Sequence, residues 1–344
     1  MLRIGILRGM ENSFPEALIQ RINDKAKKIK KDIVGEFVSI GGLQMDAPNP
    51  YAVILDRISQ DVAFYRTYLK HAVMQGTYVI NNPFWWSADD KFFNYALMHK
   101  IGVAIPKTVV LPQNAHPEGT TTESMRNMIY PLNWDEIFGY VGFPAFLKPH
   151  SGGGWKQVYK VHSADDFFHY YNQTGTTCMV LQENVDFEEY YRCYCVGQKD
   201  VHIMEYNPKL PYGQQYLTDA QPINSKLKKR MHEDILKICQ TLGYDLNTVE
   251  FAVRDGVPYA IDFLNPAPDA DYHSVSPKNF EWIVEKVADF LIECALKKPV
   301  AIKEFHWSKF LKPQSISKSA KAAATKKALV KRDAPSKSPK KKAR

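Results

Sequence analysis

Residues Leu2 to Leu7 (LRIGIL) form a nearly unbroken apolar run that stops at Arg8-Gly9, the length and boundary of a buried β-strand. Phe14, Leu18 and Ile22 then recur every four positions, with Lys25 to Lys31 left on the polar side, which is the period of an amphipathic helix. Further apolar runs at Ile33 to Ile40 and Tyr51 to Leu55 predict two strands. A long helix is expected over about Asp61 to Met74, and Tyr78 to Ile80 returns as a short strand. Strands alternating with helices predict a small parallel α/β layer. The first strand is not followed by G-x-G-x-x-G, so the dinucleotide fingerprint is missing.

A second block runs from Asn81 to about Val185. Its pattern predicts a helix over Ala88 to Lys100, a strand over Thr108 to Leu111, a polar loop near Gln113 to Thr122 and a helix over Asn133 to Tyr140. The strand Ala145 to Lys148 and a glycine loop follow. The third block predicts strands at Tyr191 to Val196 and Val201 to Glu205, then a helix over Lys226 to Leu242. A hairpin of Thr248 to Arg254 with Pro258 to Asp262 turns at Asp255-Gly256, and a closing helix covers Asn279 to Lys297.

Composition changes this picture in one place. The 344 residues carry a formal charge of +8, but Lys309 to Arg344 holds 13 Lys or Arg against the single acid Asp333, a net of +12. Residues 1–308 have 32 basic and 36 acidic side chains, a net of −4. The body reads as a mildly acidic globule, and the tail, poor in large apolar residues, as a disordered basic extension. Any nucleic-acid partner inferred from the charge belongs to that tail. The five cysteines include a C-x-C, Cys193 and Cys195, but neither a C-x-x-C nor a second pair for a metal cage. A reducing cytoplasm is the expected location. No apolar run approaches a membrane span, and the N-terminus is too soon charged for a signal-peptide core.

Two stretches carry chemistry. In GFPAFLKPHSGGGWKQV a strand delivers Lys148 to Gly152, Gly153 and Gly154. A fixed ammonium beside backbone N–H groups that no side chain shields is what a polyphosphate requires, although a glycine run also suits a plain hairpin tip. Trp155, bulky within such a loop, has no place in that logic. In NTVEFAVRDGVPYAIDFLNPAPD, Glu250 and Asp262 lie on opposite arms of an apolar hairpin, with Asn265 shortly after. Facing carboxylates with an amide oxygen suit Mg²⁺, which takes oxygen ligands.

With these residues in view the chain resembles the ATP-grasp superfamily over roughly Asn81 to Asp269, and within it the glutathione synthetase and ribosomal-protein glutamate ligase group. Four patterns occur in order: Asp90-Lys91 followed by GVAIPKT, the strand and loop FPAFLKPHSGGG, the hinge-like MVLQENV, and the hairpin TVEF with AIDFLNP. The resemblance implies an α/β (α+β) chain with a pre-grasp domain at 1–83, two grasp subdomains at 84–185 and 186–306, and the basic tail at 307–344. It implies that Lys91 and Lys148 contact ATP phosphates, that Ser151, Gly152, Gly153 and Gly154 cover them, and that Gln182, Glu183, Asn184 and Val185 hold adenine. Glu189 becomes the ribose ligand, and Glu250, Asp262 and Asn265 the ligands of Mg²⁺ or Mn²⁺. The arginine that often stabilises the transferring phosphate in this family has no placed counterpart; Arg192, just past the hinge, resembles the arginine of the glutamate-ligase branch as a catalytic residue, and equally suits a surface ion pair. One departure stands out: the family's last-strand Glu-x-Asn is here Asp262-x-x-Asn265, one residue longer.

The activity so implied is that of an ATP-dependent ligase that activates a small-molecule or peptide carboxylate as an acyl phosphate and joins it to an amine. Two other readings stay open: a small-molecule kinase of the same fold, and a nucleotide-binding module tethered to nucleic acid by the tail. His150 is expected to make a structural hydrogen bond, and Cys193 and Cys195 to belong to the core.

Overall fold

The computed structural model describes residues 1–85, 90–211, 213–217, 222–299 and 307–310. The start of the expected Ala88 to Lys100 helix and the tail beyond residue 310 lie outside these residues. Met1 to Phe310 make one compact unit.

The chain opens with β1 (Leu2–Leu7), α1 (Ser13–Lys28), β2 (Ile33–Phe37), β3 (Val53–Asp56), α2 (Ala63–Met74) and β4 (Tyr78–Ile80). They form the expected parallel sheet, in the order β2-β1-β3-β4. Phe14, Leu18, Ile22 and Ala26 are buried along one face of α1, as the four-residue spacing requires.

The second group is α3 (Lys91–Lys100), β5 (Thr108–Leu111), α4 (Trp134–Val141), β6 (Ala145–Pro149), β7 (Tyr159–Val161), α5 (Ala164–Tyr171) and β8 (Met179–Glu183), with an antiparallel sheet ordered β5-β8-β6-β7. Asp90 caps α3 by accepting from the Phe93 N–H at 2.8 Å, so Asp90-Lys91 does open this helix. The sequence reading missed β7 and α5. The strand is only three residues long, but the helix has a readable start in Ser163, whose hydroxyl accepts from the Asp166 N–H, with Asp165 and Asp166 in its first turn.

The third group is β9 (Glu189–Val196), β10 (Asp200–Glu205), α6 (Ser225–Leu242), β11 (Leu246–Arg254), β12 (Val257–Asp262), α7 (Tyr272–Val275) and α8 (Pro277–Lys297). Its antiparallel sheet runs β10-β9-β11-β12. Cys193 and Cys195 are fully buried on β9, and all five cysteines are free. The hairpin turns at Asp255-Gly256, both left-handed at φ 54° and 70°, as a two-residue turn of this type requires.

Polar ties fix the first sheet against the third. Asn81 accepts from the N–H groups of Asp245 and Leu246 at 2.8 and 3.0 Å and donates to the carbonyls of Leu246 and Pro266 at 2.8 and 3.1 Å. Buried Arg57 pairs with Glu11 and donates to the Pro268 carbonyl at 2.6 Å. These bonds hold the segment that follows the hairpin, and so set where its carboxylates lie. Among the described residues no helix is long and apolar enough to cross a membrane.

Candidate active site

A cleft of about 260 Å³ opens between the second and third sheets. Lys91, Lys148, the loop from Ser151 to Gly154, the segment from Gln182 to Val185, Glu250 and Asp262 all line it. Residues 171 positions apart in the chain therefore meet in one space. Glu189, Arg192 and Asn265 are not among its lining residues.

The two lysines arrive from different elements. Lys91 starts α3, its N–H bonded to the His150 carbonyl at 2.8 Å, and its Nζ donates to the carbonyl of Gly152. Lys148 leaves β6 and donates to the Tyr95 hydroxyl at 2.9 Å and to Gln182 Oε1 at 2.8 Å. Tyr95 lies four residues after Lys91 on α3, so one helix face delivers a lysine and the partner of the other. Burial pushes the Lys148 ammonium down to about 8, with Asp262 and Glu250 opposing. Burial and the neighbouring Lys148 charge bring Lys91 down to about 8 as well, with Asp262 opposing. Two ammonium groups held in this way lack a strong counter-charge, which a polyphosphate would supply.

The carboxylates face each other as the hairpin reading expects. Glu250 pairs with Asp262 across the ladder, and the register then slips so that Phe251 pairs with Ala260. The extra residue, Ile261, is a bulge, and both Ile261 and Asp262 reach the cleft. Glu250 accepts from the Tyr190 hydroxyl and lies 3.4 Å from Arg192 Nε. Burial raises the Glu250 carboxyl above its ordinary value, Arg192 lowers it and Asp262 raises it again. A cation between the two carboxylates would relieve that repulsion. Asn265 stands apart: its amide donates to the Thr248 carbonyl at 3.3 Å, and its N–H donates to Asn247. Among the described residues no group of three or more His, Cys, Asp or Glu is arranged for a metal.

Arg192 is not the surface ion pair that one reading allowed, because only 15% of its side chain is exposed. Burial opposes its charge, but Glu250 and the surrounding tyrosines raise it above the ordinary value. At the hinge, Glu183 is fixed by Arg254 at 2.8 Å and by the Lys107 N–H at 3.1 Å. Gln182 turns away from the hinge, with its Nε2 on Thr108 at 2.9 Å and its Oε1 on Lys148. Glu189 is exposed and accepts from the Tyr191 hydroxyl. His150 Nδ1 lies 3.3 Å from the Cys178 carbonyl, a structural contact as expected. Sequence reasoning overlooked Tyr95, Tyr190 and Arg254. Only Tyr95 carried a signal, its four-residue offset from Lys91.

The arrangement matches solved structures over most of its length. A D-alanine–D-alanine ligase from Bacillus anthracis, solved in complex with ATP, superposes with a TM-score of 0.61 over 86% of this chain and 97% of that one, at 18% identity. A RimK-domain ATP-grasp protein from Sphaerobacter thermophilus gives 0.59 over 84% and 99%, at 15% identity. This chain has the ATP-grasp fold. The VanG D-Ala:D-Ser ligase of Enterococcus faecalis shares it, with a TM-score of 0.58 over 86% and 99% at 15% identity. In sequence, a curated D-alanine–D-alanine ligase from Bacillus anthracis is 25% identical over 184 residues. That match spans 48% of this chain and 58% of the ligase's length. No family model matches the chain.

Proposed function

We propose that the chain is an ATP-dependent carboxylate–amine ligase that uses Mg²⁺ or Mn²⁺. The observation that carries this reading is the convergence of two half-buried lysines and two facing carboxylates on one cleft roofed by a glycine loop. Lys91 and Lys148 hold the ATP phosphates, Ser151 to Gly154 cover them, and Gln182 to Val185 receive adenine, with backbone groups and the braced Glu183 carboxylate making the contacts. Glu250 and Asp262 hold the metal, which supplies charge neutralisation at the phosphates when bound. The Asn265 amide nitrogen is held on the Thr248 carbonyl, which leaves Oδ1 as the oxygen it would offer the metal, and Glu189, held by Tyr191 at one oxygen, would offer the other to a ribose.

The substrate carboxylate belongs beside Arg192. Thr248 Oγ1 and Tyr216 Oη are buried without a hydrogen-bond partner, and Arg192 Nε, ion-paired with Glu250 at 3.4 Å, makes no hydrogen bond. Arg192 is opposite Glu250 in register, Thr248 precedes Glu250 by two on the same face, and Tyr216 bridges to the neighbouring Tyr206. Buried donors left open suit the oxygens of a carboxylate. One carboxylate oxygen attacks the γ-phosphorus and ADP departs. The amine then attacks the acyl carbon, phosphate leaves with the bonding pair, and the amide loses a proton. Positioning and charge neutralisation suffice for the phosphoryl step, so no side-chain nucleophile is needed. A screen of amino acids and small peptides for stimulated ADP and phosphate release tests the reading. ADP with a phosphorylated acceptor would make it a kinase, and nucleotide binding without turnover a sensor module.

In this reading 1–83 is the pre-grasp domain, 84–185 and 186–306 are the subdomains, and the protein acts in the cytoplasm, which the free cysteines support. The 307–344 tail, with its excess of 12 positive charges from Lys309 on, would bind nucleic acid without sequence preference.

A further inference from the structure

Trp155 has no role in the chemistry above, yet its placement is unfavourable on two counts. Its indole is 77% exposed, and its backbone is left-handed at φ 59°, a region that bulky L-residues avoid. Gly152, Gly154 and Gln157 are left-handed too, and a Cβ at Gly152, Gly153 or Gly154 would meet nothing within 4 Å. The loop is thus coiled but packed against nothing at its glycines. The Lys91 ammonium anchors it at the Gly152 carbonyl, and Thr177 donates to Gln157 at 3.5 Å near its far end. That same ammonium faces the cleft where phosphates would lie. Across the cleft, Phe187 and Pro208 line the opposite wall with Trp155 on this one. Lys209 sits over the Phe187 ring at 5.1 Å, which leaves Phe187 as a half-covered apolar shelf.

We propose that Trp155 is a nucleotide-triggered latch: the triphosphate draws Lys91 from the Gly152 carbonyl, and the released loop docks its indole on Phe187 and Pro208. This proposal rests on the ATP reading and adds a positioning residue to it. An exposed indole and an aromatic–proline shelf across a cleft both gain by losing water when they meet. The ammonium gains as well, since a phosphate oxygen carries charge and a carbonyl does not. Docking closes the mouth of the cleft over the nucleotide and slows its escape. The latch acts on nucleotide residence and on water exclusion, not on the reacting atoms.

The test uses the full chain, Mg²⁺ and a non-hydrolysable ATP analogue, with calorimetry to measure binding and tryptophan emission to follow the indole. The chain has six tryptophans, so the Trp155 signal is the difference from Trp155→Phe. Analogue binding should shift that difference emission to shorter wavelength and reduce its quenching by acrylamide. Trp155→Phe, which keeps an aromatic ring, should bind within about twofold of the parent, whereas Trp155→Ala should release the analogue about tenfold faster. Phe187→Ala should abolish the acrylamide protection while still binding the analogue. Binding with an unchanged difference emission, protection that survives Phe187→Ala, or equally slow release from Trp155→Ala would each overturn the latch alone. A folded parent that does not bind the analogue removes the ATP reading, and the latch with it.

Discussion

Raising the pH from 7 to 9 should weaken nucleotide binding by an amount that the two lysines set. With pKa values brought down to about 8, Lys91 and Lys148 are each about 90% charged at pH 7 and about 10% charged at pH 9. Bound triphosphate favours the ammonium form, so each lysine should cost about tenfold in affinity across that range, and both together about a hundredfold. At its ordinary value of 10.5 either lysine would remain charged and contribute almost nothing. The stability of the free protein moves the other way. Between pH 8 and 10.5 the unfolded chain binds more protons at these lysines than the folded one, so folding becomes more favourable as pH rises through that window. Titrating a non-hydrolysable ATP analogue at pH 7, 8 and 9, in buffers of different ionisation enthalpy, measures both affinity and proton uptake. At pH 8 the two half-charged lysines should take up about one proton per nucleotide bound. Lys148→Met should lower affinity at pH 7 and remove about half of the pH slope. Affinity constant within twofold from pH 7 to 9, with no proton uptake, would refute the claim that burial leaves these ammonium groups short of counter-charge.

Glu250→Gln and Asp262→Asn should each reduce ADP formation by at least about a hundredfold, because each removes metal charge. Asp262→Asn should leave the melting temperature within a few degrees, whereas Glu250→Gln also strips Arg192 of its partner and should lower it. Full activity of Asp262→Asn at ordinary Mg²⁺ would contradict the metal assignment. Asn81→Leu should destabilise the fold by about 3 kcal/mol or more, since it strands two buried N–H groups and two carbonyls together. A urea titration whose midpoint does not move would show that this junction is not under tension from Asn81. Truncation after Trp307 should leave ATP turnover intact and abolish salt-sensitive retention of duplex DNA; retention with the same salt dependence would clear the tail of that role.

Much of the architecture is written locally. The four-residue spacing of Phe14, Leu18 and Ile22, the alternation along β11 and β12, and the Asp255-Gly256 turn each specify an element through neighbours in sequence. The lysine before the glycine loop and the acids on the hairpin were legible for the same reason: residue type and spacing suffice to mark where phosphate or metal chemistry is feasible. β7 escaped because a three-residue strand is too short for a period to show, whereas the start of α5 at Ser163 was legible and was overlooked. Tertiary structure alone decided what those side chains touch. Gln182, read as part of the adenine hinge, spends its amide on Lys148 and Thr108 because two strands of one sheet bring them together. Arg192 could have faced solvent on its strand, and it is buried against Glu250 and a wall of tyrosines instead. Glu250 meets Tyr190 from 60 positions away, and Lys91 meets the Gly152 carbonyl from 61. A charge's ionisation depends on what displaces its water, and those groups come from distant segments, so the depressed lysines and the raised Glu250 exist only once the sheets have closed around the cleft.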